Sequence, residues 1–132
     1  MLYSLDSNAV SDILRKSYSV RQRLEEELIN NNKAAICDIV YYEVTRGLKS
    51  ANAVKKLKEF LIMYEKMIHL PLNIKAIELS TSIYTSLHKG QQIEDNDIYI
   101  AAIAMANDCT LVTANEKHFS RIEGLTYVNW RI

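Results

Sequence analysis

Met1-Leu2-Tyr3-Ser4-Leu5-Asp6-Ser7-Asn8-Ala9-Val10-Ser11-Asp12-Ile13-Leu14-Arg15 changes character at Asp6. Before that acid the residues are short and apolar. After it, behind the capping side chains of Asp6, Ser7 and Asn8, the apolar positions 9, 10, 13 and 14 keep helical spacing. The stretch predicts a strand leading directly into a helix, and the alternation continues. Val20 to Leu28, with the acidic face Glu25-Glu26-Glu27, predicts a second helix that Asn30-Asn31-Asn32-Lys33 breaks, and Ala34-Ala35-Ile36-Cys37 predicts a second short buried strand. Ile39 to Leu48 reads as helix, with Asp38 as its N-cap and Gly47 as its terminator. Residues 53–67 and 76–88 each carry one apolar face and predict amphipathic helices. Between them Met67-Ile68-His69-Leu70, just ahead of Pro71, predicts a third strand. Gly90 is expected to end the helix before it, and a polar loop over 91–96 leads to a helix opened by Asp97. That helix, Ile98 to Ala106, is apolar nearly all round and should be buried. Thr110-Leu111-Val112-Thr113 and Thr126-Tyr127-Val128 complete the strands. Strands separated by helices predict an α/β fold: a three-layer sandwich whose central parallel sheet is flanked by helices, in a single domain spanning residues 1–132.

Composition narrows the function classes. Hydrophobic residues make up 48% and charged residues 24% of 132 positions, which fits one soluble globular domain. Sixteen basic residues balance 16 acidic ones, so any nucleic-acid contact must be local rather than driven by a global field. Cys37 and Cys109 have no C-x-x-C pairing and no neighbouring histidine. They point to free thiols in a reducing cytoplasmic setting and away from zinc. The longest apolar run, Ile98 to Ala106, is half a membrane span and argues against insertion. Glycines only at 47, 90 and 124 exclude both G-x-G-x-x-G and the P-loop. His69, His88 and His118 show no ligand spacing and are assigned no chemistry.

Three acids remain, Asp6, Glu43 and Asp97, each set at the start of, or within, an apolar segment. In open parallel α/β sheets, ligands bind beyond the carboxyl ends of the strands. Asp6 follows the first strand, Asp38 and Glu43 the second, and Asn115 the strand at 110–113. Asp97 joins them if its helix starts at that edge. Clustered carboxylates repel one another until a proton or a cation relieves them, and an oxygen-only set suits Mg2+ or Mn2+. A hard divalent ion there activates water and neutralises the charge that builds on a phosphodiester. Taken singly, each acid has a plainer reading: Asp6 as a helix cap, Asp97 as a first-turn carboxylate facing the helix dipole, Glu43 as an exposed helix glutamate. The metal reading rests on their convergence. Lys55, Lys56 and Lys58 read as the polar side of an amphipathic helix rather than an RNA patch, and the tyrosines at 41, 42, 64, 84 and 99 as core or interface.

Four segments in order resemble the PIN-domain ribonucleases, and among them the VapC-type toxins of toxin–antitoxin pairs. Leu5-Asp6-Ser7-Asn8 is similar to the family's L-D-T-N, Tyr42-Glu43-Val44-Thr45-Arg46-Gly47-Leu48 to its E-L-x-x-G, and Asn96-Asp97-Ile98-Tyr99-Ile100-Ala101-Ala102 to its D-x-x-I-A-A. Leu111 to Phe119, followed by Ile122-Glu123-Gly124-Leu125, resembles its closing part. The resemblance implies a metal-dependent endoribonuclease in which Asp6, Glu43 and Asp97 hold Mg2+ or Mn2+ for cleavage of RNA. Ser7, Thr113 and Asn115 would orient those ligands or contact phosphate. Where the family often carries a fourth acid this chain has Asn115, which offers an amide oxygen and no charge. The family further implies a homodimer and an antitoxin protein as partner, for which the tyrosine-rich helices around 41–64 offer a surface. A non-catalytic binding module of the same fold and a related metal-dependent DNA nuclease are the alternatives.

Overall fold

The computed structural model describes residues 1–87 and 90–131. Its elements run β1 (Leu2–Leu5), α1 (Ser7–Leu14), α2 (Tyr18–Ile29), β2 (Lys33–Cys37), α3 (Asp38–Ser50), α4 (Val54–Glu65), β3 (Ile68–Leu70), α5 (Ile74–Ser86), α6 (Asp95–Ala106), β4 (Thr110–Val112), α7 (Glu116–Phe119) and β5 (Tyr127–Val128). The strands form one sheet in the order β3-β2-β1-β4-β5. Every pairing is parallel, with Ser4 opposite both Ala35 and Leu111. The α/β sandwich expected from the alternation is therefore the fold.

Its core explains why the sheet holds its register. Leu5, Ala35, Ile36, Leu111 and Val112 are fully or almost fully buried on the central strands. On α6, Ile98, Ile100 and Ile103 are at most 2% exposed. Each such side chain contributes roughly 1.5–3 kcal/mol relative to exposure, enough to pin the first turn of α6 and the acid it carries. The expectation that this helix is buried holds. Tyr41, Phe60 and Tyr64 pack with ring centroids 4.6 to 6.1 Å apart and lock α3 to α4, while His69 stacks on Tyr64 at 3.8 Å. These rings are internal packing; of the tyrosines in 41–64, only Tyr42 stands exposed. Farther along the chain, the Arg131 guanidinium donates to both oxygens of buried Asp12, at 2.6 and 3.0 Å, and ties the last described residues to α1.

Several boundaries differ from the sequence reading. Cys37, not Asp38, caps α3; Asp38 is its first residue, and its carboxylate instead accepts from the Leu72 N–H at 3.0 Å. Helix α3 runs through Gly47 to Ser50, because burial of Val40 and Val44 on the core face outweighs the modest helix cost of one glycine. Helix α5 stops at Ser86, ahead of Gly90, and His88, at its expected end, lies outside the described residues. Helix α6 begins two residues before Asp97, at Asp95, with Glu94 as its N-cap.

Phe60 is the fully buried node between α3 and α4. Phe60→Ala should lower the unfolding free energy by about 3–5 kcal/mol. Urea denaturation checks this, and a change under about 1 kcal/mol would show that the α3–α4 packing is not held there.

Candidate active site

In the order β3-β2-β1-β4-β5 the chain winds outward from β1 on one side and returns beside β1 on the other. The crevice at the carboxyl ends of β1 and β4 is thus the topological switch point, where α/β sheets place their ligands. The Asp6 N–H donates to the Val112 carbonyl at 2.9 Å, carrying the β1–β4 ladder one residue past the strands and setting the Asp6 side chain in that crevice.

Asp6 is 5% exposed. Its Oδ1 accepts from the Ser7 N–H at 2.8 Å, and its Oδ2 accepts from the Thr113 hydroxyl at 2.7 Å and from Asn8 Nδ2 at 3.1 Å. Thr113 Oγ1 in turn accepts from the Asn115 N–H at 3.0 Å, and Asn8 Oδ1 accepts from the Ala114 N–H at 3.0 Å. The loops after β1 and β4 are stitched together around one carboxylate. Glu43 reaches the same edge from α3: its Oε1 accepts from the Ser7 hydroxyl at 2.6 Å and its Oε2 from Asn96 Nδ2 at 3.2 Å. Asp97, in the first turn of α6, has its Oδ2 3.2 Å from His118 Nδ1, which is also 2.9 Å from Asn115 Nδ2.

All six residues expected at the site therefore meet at one edge, and three more arrive with them. The sequence marks Asn8 only as a capping residue and Asn96 only as part of a segment, and it gives His118 no role. The offset of Asn115 and His118 by three positions is the one signal that could flag the histidine, since it puts both on one face of a helical turn.

Burial pushes the Asp6 carboxyl up to about 6, with its hydrogen bonds opposing and the nearby Asp97 and Glu43 charges adding to the rise. Burial also raises Asp97, against the pull of His118. Two acids strained toward the neutral form describe a site short of positive charge. Among the described residues no three His, Cys, Asp or Glu side chains are drawn together tightly enough to enclose a metal by themselves. Mg2+ does not require that, since it commonly keeps several waters and takes one or two carboxylates. Each carboxylate oxygen has two lone pairs, so Asp6 Oδ2 is filled by its two donors while Oδ1 keeps one open. Asp6 fits a cation through a single oxygen, and Glu43 and Asp97 also retain open lone pairs.

A parallel sheet with a buried aspartate at its switch point and two further acids facing it defines an α/β protein with a carboxylate-centred site. Residues 3–125 match the family model described as PIN domain, and the chain belongs to that family. It is 33% identical to Ribonuclease VapC2 of Rickettsia felis, over 98% of each chain, and 24% identical to Ribonuclease VapC1 of Haemophilus influenzae, again over 98% of each. The fold superposes with a TM-score of 0.88 on VapBC2 from Rickettsia felis, solved bound to a DNA fragment from its promoter, at 32% identity over 98% of this chain and 99% of that one. VapBC-1 from nontypeable Haemophilus influenzae superposes at 0.87, with 25% identity over all of both chains.

The raised Asp6 fixes a sign for stability against pH. Below about pH 4 both folded and unfolded chains hold its proton. Between about 4 and 6 the unfolded chain has released it and the folded chain has not, so stability falls as pH rises. At pH 7.5 without metal the accumulated cost is about 3 kcal/mol. Asp6→Asn should therefore raise the melting temperature at pH 7.5 in chelator and lose that advantage near pH 4. Equal shifts at both pH values in thermal melts would contradict the assignment.

Proposed function

We propose that this chain is a Mg2+- or Mn2+-dependent endoribonuclease that hydrolyses RNA phosphodiesters as the toxin of a type II toxin–antitoxin pair. The observation that carries the reading is Asp6, buried at the switch point with both carboxylate oxygens hydrogen-bonded and with Glu43 and Asp97 tied to the same edge. The similarity to proteins named as VapC ribonucleases supports it along the whole chain. In this reading Asp6 and Asp97 are the principal ligands, and Glu43, steadied by Ser7 and Asn96, completes the set or orients a water. The ion supplies Lewis acidity toward the phosphodiester. Thr113 and Asn8 keep Asp6 from turning away, which fixes the direction of its open lone pair.

A cleft of about 330 Å³ opens at Glu43, lined also by Ser7, Ser11, Arg15, Gly47 and Lys56. Two cations next to an acidic centre give a strand's flanking phosphates a place to bind on a protein of zero net charge. In this reading the cleft supplies the local contact that a neutral composition requires, and Lys56 takes part in it rather than serving only the polar side of its helix. Farther along, an apolar groove of about 830 Å³ between α2, α4 and β3, with Leu24, Leu28, Ile62, Met63 and Ile68 among its walls, supports a protein partner. The likeness to proteins solved as VapBC2 and VapBC-1 supports reading that partner as an antitoxin. A second copy of the chain is the other expected partner.

Incubation with total RNA and Mn2+, followed by mapping of new ends, tests the activity. Cleavage should need divalent metal, stop with chelator, and fall by more than about 100-fold in Asp97→Asn. Cleavage by a clean Asp97→Asn preparation would overturn the site, and intact RNA with no metal binding would leave a non-catalytic module of the same fold. Arg15→Ala and Lys56→Ala should each weaken RNA binding and flatten its dependence on log salt by roughly 0.7 for each phosphate no longer neutralised, with metal affinity unchanged. Filter binding across a salt series reads this directly, and parallel slopes would remove the cleft from the substrate path.

A further inference from the structure

His118 Nδ1 stands between two partners that it cannot serve together. It lies 3.2 Å from Asp97 Oδ2 and 2.9 Å from Asn115 Nδ2. A ring nitrogen carries either one proton or one lone pair. If Nδ1 accepts from the Asn115 amide, its lone pair is taken and it confronts the Asp97 carboxylate oxygen with nothing between them. If it donates to Asp97, its N–H meets the N–H of the amide. Turning the Asn115 amide so that Oδ1 occupies the inner position removes the conflict: one proton on Nδ1 is then shared between two acceptors. Replace that proton by a divalent cation, and a carboxylate oxygen, an amide oxygen and an imidazole nitrogen all present lone pairs to it.

The spacing agrees. Bonds of about 2.1 Å meeting at right angles put neighbouring ligand atoms about 3 Å apart, close to the two separations observed. The scaffold is also set in advance. Phe119 is fully buried behind His118, the Asn115 N–H is fixed to Thr113, and Asn115 and His118 sit three positions apart on the same helical turn. The imidazole, its side chain 37% exposed, leaves room for water at the remaining coordination positions.

We propose that His118 Nδ1 is a ligand of the ion held at Asp97, with Asn115 contributing its amide oxygen, and that this corner makes the site select Mn2+ over Mg2+. The inference rests on the metal-dependent reading above and assigns it a ligand that the three acids do not include. Mg2+ strongly prefers oxygen, whereas imidazole favours transition ions, so one nitrogen in the set shifts the preference.

Direct metal binding tests this without reference to cleavage. Mn2+ would be titrated by loss of its free electron paramagnetic resonance signal and Mg2+ by calorimetry, for the unaltered chain, His118→Ala, His118→Asn and Asp97→Asn, each checked for folding by thermal melting in chelator. Pulsed resonance on the Mn2+-loaded unaltered chain should show directly coupled 14N, and Mn2+ should bind at least about tenfold tighter than Mg2+. Both His118 variants should lose the 14N coupling and should lose more affinity for Mn2+ than for Mg2+, so that most of the preference disappears. Mn2+ bound with no coupled nitrogen, or a preference that survives in His118→Ala, would overturn the ligand assignment and leave the metal-dependent reading intact. Failure of the unaltered chain to bind either ion at millimolar concentration would overturn both.

Discussion

The Thr113 hydroxyl donating to Asp6 Oδ2 at 2.7 Å is the bond on which the site depends. It joins residues 107 positions apart, across the one gap in the sheet where the winding direction reverses. Thr113 is 1% exposed and Asp6 5%, so neither group has water to fall back on. The bond must be present whenever β1 and β4 are in register. Once it is, the Asn115 N–H docks on the same hydroxyl oxygen, the Ala114 N–H docks on Asn8, and the short helix α7 is aimed back at Asp97. A carboxylate taken out of water in this way resists ionisation, and the fold tolerates that cost within its margin of stability.

Much of this is legible in the chain because the decisive signals are local. Asp6 marks a strand-to-helix change within a few residues, and the run from Ile98 to Ala106 has no polar face to leave outside. Parallel topology then needs only alternation to put strand ends, and the acids beside them, on one edge. What sequence could not supply were relations without a short-range trace. The strand order, which makes β1 and β4 neighbours and so turns an edge into a crevice, is set by packing across the whole sheet. Asn96 reaches Glu43 over 53 positions and His118 reaches Asp97 over 21, so a search for ligand pairs at helical spacing passes both by. The misplaced helix ends have a related cause: Gly47 and Asp38 carry the chemistry of boundaries, but tertiary burial and the Leu72 hydrogen bond decide what they do.

Neutral net charge does not preclude local binding of a polyanion, because charge is sorted by position. The acids meet at the crevice, while Arg15 and Lys56 line the adjoining cleft together with Glu43. Arg46 lies over the Tyr42 ring at 4.8 Å, one turn beyond Glu43 on α3. A polyanion approaching this edge has cations to meet as well as carboxylates. The field that would repel it from the acids is short-ranged at physiological salt, where screening acts over about 8 Å.

The two hollows on the surface are not independent. The apolar groove and the polar cleft share Leu14, at the far end of α1, while Ser7 at the near end of the same helix holds Glu43. Seven residue steps of helix separate those ends by about 10 Å. A protein segment seated in the groove leaves the acids open to solvent unless its chain continues past Leu14, and about three extended residues cover that distance. The lined route between them is the cleft that carries Arg15 and Lys56. On the proposed function, a partner that takes it would cover the cleft assigned to RNA phosphates, and its inhibition should be competitive with RNA whether or not any of its side chains reaches Asp6.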